Sequence, residues 1–339
     1  MTTANRVVVR VPATSANLGP GFDALGLALA LHDEVTAEFA PRTEVVVEGE
    51  GAGEVDLGEG HLIVATMRRT FGRMGFPQPA GIRLTCRNVI PHARGLGSSS
   101  AAIAAGILAA RALARLPYGT AAEDGTAPAD GAATAAGAPG ADGGEFGVER
   151  TGHDLSDDEV FALATEIEGH PDNVAPCLAG GLTVAWTDQD GSPRKVKLAP
   201  DAGIRPVVLI PSFRLSTETA RGLLPKEVPH KDAAFNSGRA ALLIAALTQR
   251  PENALLLAAT EDRLHQDYRA PAMRQTADLV QQLRARGVPA VVSGAGPTIL
   301  AFATAETQDL IAPEVGNDWH IQHLDVDPYG ASVQFPETR

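Results

Sequence analysis

The sequence predicts an α+β chain built from two units, and three observations carry that prediction. Its 339 residues exceed what a single core of ordinary size needs, so two cores are expected. In the first half a short β-branched segment, a glycine-serine loop and a long apolar run follow one another, the pattern of a strand feeding a buried helix. In the second half the order is strand, helices, two strands, a short helix and one or two final strands, a split βαβ arrangement. The two units are expected over residues 1–201 and 202–339.

Taken in order, Arg6 to Val11 predicts a strand that Pro12 ends, and Leu25 to Leu31 continues as a strand or a short apolar turn. Glu44 to Glu48 reads as a strand and Leu62 to Gly72 as a helix, with Arg68, Arg69 and Arg73 on its solvated face and without a function. Ile82 to Ile90 is β-branched and bounded by Pro91; Ser98 to Arg115 is rich in Ala, Ile and Leu, free of proline, and predicts a buried helix. Residues 119–144 hold ten Ala, seven Gly and two Pro without one Val, Ile, Leu or aromatic. Such a stretch has no large apolar side chain to offset the entropy of ordering, so a mobile, dispensable surface insertion is expected.

Ser156 followed by Glu159 predicts a capped helix over Asp157 to Gly169. Leu182 to Trp186 and Arg194 to Leu198 then read as strands closing the first unit. The second is expected to run from a strand at Ile204 to Pro211 through helices starting near Ala234, Glu252 and Pro271. Strands at Val288 to Ser293 and Thr298 to Ala303 follow.

Composition excludes several function classes. A net charge of -13 and a pI near 5.1 argue against a sequence-independent grip on nucleic acid or an anionic membrane. Cys86 and Cys177 are the only cysteines, too few for a disulfide framework or a cysteine zinc site, and both are expected to be buried thiols. No run reaches the roughly 18 apolar residues of a membrane span, and the first residues lack the pattern of a signal peptide. A cytosolic protein is expected, and a homodimer is left open.

The junction GLGSSS, Gly95 to Ser100, favours an anion. The first amides of a helix have no partner inside it and carry the positive end of its dipole, so a phosphate is stabilised there without a lysine. Gly95 and Gly97 permit a tight turn and close approach, and Ser98, Ser99 and Ser100 offer caps, or hydroxyls for a phosphate or magnesium. The loop lacks the lysine of a Walker sequence, the third glycine of a dinucleotide fingerprint and the Gly-x-Ser-x-Gly of a nucleophile elbow.

Other polar groups fall near glycine turns. Asn17 and Asp23 flank Gly19 and Gly21, where GPGFDA also fits a weak dinucleotide pattern. That pattern is the ground for the rival reading of a dinucleotide-dependent dehydrogenase, which nicotinamide binding without ATP turnover would mark. Glu166, Glu168, His170, Asp172 and Asn173 cluster after the capped helix, without the spacing of a zinc site. Arg221 and Arg269 sit in FRLSTETARGLLP and DRLHQDYRAPAM, and Gly294 and Gly296 in VSGAGPTILAF.

The string from Pro91 through His92, Ala93 and Arg94 to Gly95, Leu96, Gly97, Ser98 and Ser99, with Ser100 before Ala101, resembles the second motif of the GHMP kinases. PATSANLGPGFDALGLAL resembles the first motif of the homoserine kinase branch, EIEGHPDNVAP its metal and substrate segment, and VSGAGPTILAF the third motif. The resemblance implies a ribosomal-protein-S5-like α/β domain followed by a ferredoxin-like domain, with ATP and Mg2+ as cofactors. It implies phosphorylation of the L-homoserine side-chain hydroxyl on the route to threonine. Nucleotide contacts are expected from Pro91 to Ala101 and from Gly294 and Gly296. Catalysis and metal binding are expected of Glu166 with Ser98 or Ser99, Glu168 competing for the metal. Asn17, Asp23, His170, Asn173, Arg221 and Arg269 are expected to hold the substrate, the arginines on its carboxylate and Asp23 with Asn17 on its ammonium. A kinase of the mevalonate type is the rival within the superfamily; its substrate has no ammonium for Asp23.

Overall fold

The computed structural model describes residues 6–116, 153–304 and 306–335; the insertion expected over 119–144 lies outside the described residues. The first part contains strands β1 (Arg6–Ala16), β2 (Leu25–Ala40) and β3 (Glu44–Gly49), helix α1 (Leu62–Met74), strand β4 (Gly81–Asn88) and helix α2 (Ser98–Arg115). After the gap come α3 (Asp157–Glu168), α4 (Val174–Ala179), β5 (Leu182–Thr187) and β6 (Pro193–Leu198).

Val7, Val9 and Val11 face the core while Arg6 and Arg10 face solvent, the period of two that β1 needs. Pro12 does not end this strand as expected. β1 runs on to Ala16, and the register against β2 shifts between Pro12 and Ala13, where a residue without an N–H is tolerated. β2 resolves the ambiguity of its apolar start by serving three neighbours: Leu25 to Leu27 pair β5, Glu34 to Ala40 pair β4, and β1 lies alongside. β3 joins β4 in parallel. Helix α1 offers Ile63, Val64, Met67, Phe71 and Met74 to the core and stops at Gly75 in a left-handed conformation. Most of α2 is buried, and Gly106 lets α1 approach so closely that a Cβ there would lie 2.9 Å from the Ile63 carbonyl oxygen.

The second part runs β7 (Arg205–Pro211), α5 (Thr217–Gly222), α6 (His230–Thr248), α7 (Asn253–Ala259), α8 (Gln266–Arg269), α9 (Arg274–Ala285), β8 (Ala290–Val292), β9 (Ile299–Ala303) and β10 (Trp319–His323). Its four strands pair antiparallel in the order β10, β7, β9, β8, the ferredoxin-like arrangement. Successive residues of β7 separate onto two faces. Val208 and Ile210 join the large core, and Val207 and Leu209 a smaller one with Leu279 and Leu283 of α9. The short helices α4, α5 and α8 lie beyond what the sequence predicts.

The large core is continuous from β1, α1 and α2 to α6, α7, β7 and β9. The chain then returns: Val326 bridges to Leu29, and β11 (Ser332–Gln334) pairs with β1. The division expected at residue 202 is therefore not respected by the C-terminal segment, which adds a strand to the first sheet. No helix among the described residues is long and apolar enough to cross a membrane.

Candidate functional site

The glycine loop ahead of α2 is held from both sides. Asp33 accepts from the amides of Val89 (2.6 Å) and Ile90 (2.9 Å), and Arg94 donates to the carbonyls of Pro211 (2.9 Å) and Ser212 (3.0 Å). At Gly95 (φ 76°) a Cβ would fall 2.3 Å from the Ser293 carbonyl oxygen, and at Gly97 (φ 71°) 1.9 Å from Thr14 Oγ1. Both positions demand glycine on conformation and on space. Gly97 is the N-cap of α2, no side chain caps the helix, and the first helical bond runs from the Ala101 amide to the Gly97 carbonyl. The serine hydroxyls do not cap: Ser99 and Ser100 each donate to Glu168, at 2.8 Å to Oε2 and Oε1. A buried 18-residue helix thus presents an uncapped, positive N-terminus beside one carboxylate.

That carboxylate is Glu168; Glu166, of which the metal role is expected, stands away from the helix entrance. Glu166 lies half-exposed on the outer face of α3, bound by Arg69 and Arg73 at 2.6 Å each, and this pairing holds its carboxyl below the ordinary range. Residues two apart on a helix point about 200° apart, so only one of the two glutamates can face α2. Glu166 shares its face with exposed Glu159; Glu168 shares its face with buried Phe161 and Ala164. Arg69 and Arg73, expected to be idle, are the partners that occupy Glu166.

Around the helix entrance the remaining groups converge. Thr14 donates to Asn173 Oδ1 at 2.8 Å, and His170 Nδ1 lies 2.8 Å from Asp172 Oδ1. Burial alone would lower the His170 pKa, but the hydrogen bond and charge of Asp172 outweigh it and hold it above the usual value. Asn17 is buried in a left-handed conformation with its amide tied to the backbone: Nδ2 donates to the Gly294 carbonyl and Oδ1 accepts from the Asp23 amide. It therefore shapes the cavity wall with one amide proton and one oxygen lone pair already paired. Arg221 forks the Asp23 carboxylate at 2.8 and 3.2 Å, so two residues expected to bind opposite ends of one substrate hold each other here. Arg269 is 1% exposed and has no acidic partner among the described residues. Burial, and then the charge of Arg221, pull its pKa below the usual arginine value.

Two cavities meet at Ser98 and Ser99. One, of about 300 Å³, is lined by Asn17, Glu168, His170, Asn173, Arg221 and Arg269, and by Ala93, Gly95, Gly97 and Gly294 of the loops. The other, of about 400 Å³, is lined by apolar Val11, Val35, Leu62 and Ile63, by polar Asp33, Asp56, His61, Asn88 and His92, and by Ala101. Pro91, Arg94, Leu96, Ser100 and Gly296, expected as nucleotide contacts, line neither. Arg94 ties the loop to β7, Leu96 is buried and accepts from the Thr14 amide, Pro91 faces a separate open groove, and Gly296 packs against Met273. The third glycine segment braces the loop, its Ser293 hydroxyl reaching the Gly95 carbonyl at 2.6 Å. Thr14 and His61, which sequence reasoning passed over, carry no signal beyond their place next to glycine or a helix start.

Residues 61–140 match the model of the GHMP kinases N terminal domain, and residues 234–321 that of the GHMP kinases C terminal domain. A homoserine kinase of Streptomyces coelicolor is 50% identical over 331 residues, covering 97% of this chain and 95% of that protein. The chain belongs to the GHMP kinases. Another relative, a homoserine kinase of Clavibacter michiganensis subsp. michiganensis, is 50% identical over 98% of this chain and 96% of its own. The crystal structure of a homoserine kinase from Cytophaga hutchinsonii shares the fold of this GHMP kinase, with a TM-score of 0.74 at 22% identity over 98% of this chain and 99% of that one.

Proposed function

We propose that this GHMP kinase transfers the γ-phosphoryl group of ATP to the side-chain hydroxyl of L-homoserine, giving ADP and O-phospho-L-homoserine. The observation that carries the reading is the meeting of two unlike cavities at one uncapped helix N-terminus. The cavity with apolar walls and a polar margin suits a base and ribose. The one with two arginines, a carboxylate and a histidine suits a small zwitterion. Their shared edge at Ser98 and Ser99 is where amides and dipole favour phosphate.

In this reading Arg269 receives the substrate carboxylate, which supplies the acid its buried guanidinium lacks. Arg221 stands beside it, and Asp23 is the acceptor for the ammonium. His170, held by Asp172, and Asn173, held by Thr14, fix the alcohol end. Phosphoryl transfer through a loose transition state asks mainly for positioning and for neutralisation of spreading charge, and the α2 amides supply part of that neutralisation without reorganising.

Glu168 and the Ser99 hydroxyl form a set of hard oxygen donors that suits magnesium, which binds through few protein carboxylates and completes its shell with phosphate oxygens and water. A magnesium ion held there would offset charge on the β- and γ-phosphates. The free, buried thiols of Cys86 and Cys177 fit a reducing cytoplasm, where we place the protein.

The test is ADP release with L-homoserine, L-serine, L-threonine and mevalonate, of which only L-homoserine should be turned over efficiently. Losing one charged hydrogen bond costs about 1.5–3 kcal/mol, so Arg269→Ala should raise the homoserine KM about 10- to 150-fold and leave the ATP KM unchanged. Preference for mevalonate would replace this reading with the rival substrate.

A further inference from the structure

An arginine buried without an acid is an unusual object. Its charge is costly out of water, and its long side chain should swing toward any carboxylate in reach unless something fixes it. What fixes Arg269 is His265, four residues earlier. Arg269 Nη1 lies 3.1 Å from His265 Nδ1 and donates also to the Gly294 carbonyl at 3.2 Å. A guanidinium has only donors, so His265 Nδ1 is the bare acceptor and the ring proton sits on Nε2. Nε2 donates to the Gly19 carbonyl at 2.8 Å.

His265 is wholly buried and does not line the substrate cavity. Its ring stacks on Phe22, centroids 5.3 Å apart, and its backbone amide is held by Asp262 at 3.1 Å. Burial lowers its pKa, in keeping with the neutral form. Both ring nitrogens are therefore engaged in a bridge from the first glycine turn to the arginine, with the buried Asp262 carboxylate 3.6 Å from Nε2. On the other edge of that guanidinium, Nε is buried and has no partner among the described residues.

We infer that His265 is a positioning residue for substrate recognition: anchored at Gly19 through Nε2, it aims Arg269 so that the Nε edge is left for the substrate carboxylate. The inference rests on the reading of Arg269 as carboxylate receptor. Sharing of Nη1 between His265 and Gly294 leaves Nε and Nη2 as a fork that matches a carboxylate side-on. The substrate site is thereby built on the first glycine turn even though Arg269 comes from the second half of the chain.

Two conservative variants separate the bonds. His265→Asn places an amide oxygen where Nδ1 stands and keeps the acceptor for Arg269; His265→Gln places an amide nitrogen where Nε2 stands and keeps only the bond to Gly19. The homoserine KM should stay within about threefold of wild type for the Asn variant and rise about tenfold or more for the Gln variant, with kcat and the ATP KM nearly unchanged. Inhibition by 3-aminopropan-1-ol, which lacks the carboxylate, should be the same in both, and His265→Gln should add nothing to Arg269→Ala. Equal losses in the two variants, or an equal loss for the carboxylate-free alcohol, would make His265 a packing residue and overturn the inference. An unchanged homoserine KM in Arg269→Ala alone would instead remove the carboxylate reading, and this inference with it. For wild type, where no variant has to fold, 15N-histidine NMR should show the Nε2–H tautomer with and without homoserine; an Nδ1–H tautomer would overturn it.

Discussion

At the scale of single residues the site turns on which of two similar carboxylates is free of an arginine partner among the described residues. Glu166 and Glu168 stand two positions apart and differ in exposure and in partners. One is an exposed anion shared between two arginines, and the other reaches the helix entrance and holds two serines. Exposed ion pairs contribute little, about 0–1 kcal/mol, so Glu166→Gln should leave turnover and magnesium dependence nearly as they are. Glu168→Gln removes a charge that the metal is proposed to need, and turnover should fall by about 10- to 150-fold with a higher magnesium requirement. Magnesium titrations of the two variants check this, and the opposite ranking would return the metal to Glu166. The choice was legible in part: Glu166 lies seven residues after Glu159 and shares its outward face, while Glu168 lies seven after Phe161. Helical period alone, applied to DDEVFALATEIE, points Glu168 inward.

At the scale of elements, α2 and α3 show two ways of beginning a helix. α3 has a complete capping box, Ser156 accepting from the Glu159 amide and Glu159 from that of Ser156, as its sequence predicted. Backbone and hydroxyl hydrogen bonds from Ser156 push the Glu159 carboxyl down to about 2 from an ordinary 4.5. A carboxyl lowered on folding contributes stability that is present above pH 4.5 and is lost as pH falls toward about 2. Thermal melts across that window should fall less steeply for Glu159→Gln than for wild type; parallel curves would discount the cap. α2 has no side-chain cap at all, and its start is set by Gly97, wedged against Thr14. Gly97→Ala forces a Cβ into Oγ1 at a left-handed φ, a strain of about 1–3 kcal/mol. It should abolish most activity while lowering the melting temperature only by a few degrees, because the loop must shift away from the amides it presents. Retention of full activity would show that the loop tolerates the shift.

At the scale of the whole molecule, the two units share more than a boundary. One buried cluster runs through both, and the C-terminal segment returns to the first sheet, where His32 pairs with Asp327 and β11 lies on β1. Calorimetry should therefore show a single unfolding transition, and two resolved transitions would contradict the continuity of the core. The assembly also explains why the site needs both units. Ser15 and Asn17 of the first segment, Gly95 of the second and Ser293 and Gly294 of the third are joined by direct hydrogen bonds, so three separate glycine turns form one wall.

The sequence by itself determined most of the longer elements and the three glycine turns, though not the passage of β1 through Pro12 or the short helices. Branched residues at a period of two, apolar runs at the helical period, and glycines where φ is positive are constraints of local sterics and solvation, readable one segment at a time. It also marked His170, Asn173, Arg221 and Arg269 for the cavity they all come to line. Only the tertiary structure decided that Arg221 is taken up by Asp23, that Asn17 reaches the Gly294 carbonyl, that Arg94 ties the loop to β7 and Gly296 packs against Met273, and that His265 holds Arg269. Those outcomes turn on which charges and donors arrive next to one another across hundreds of residues. Pairing energies fall off within a few ångströms, and no local pattern in the chain records who the neighbour will be.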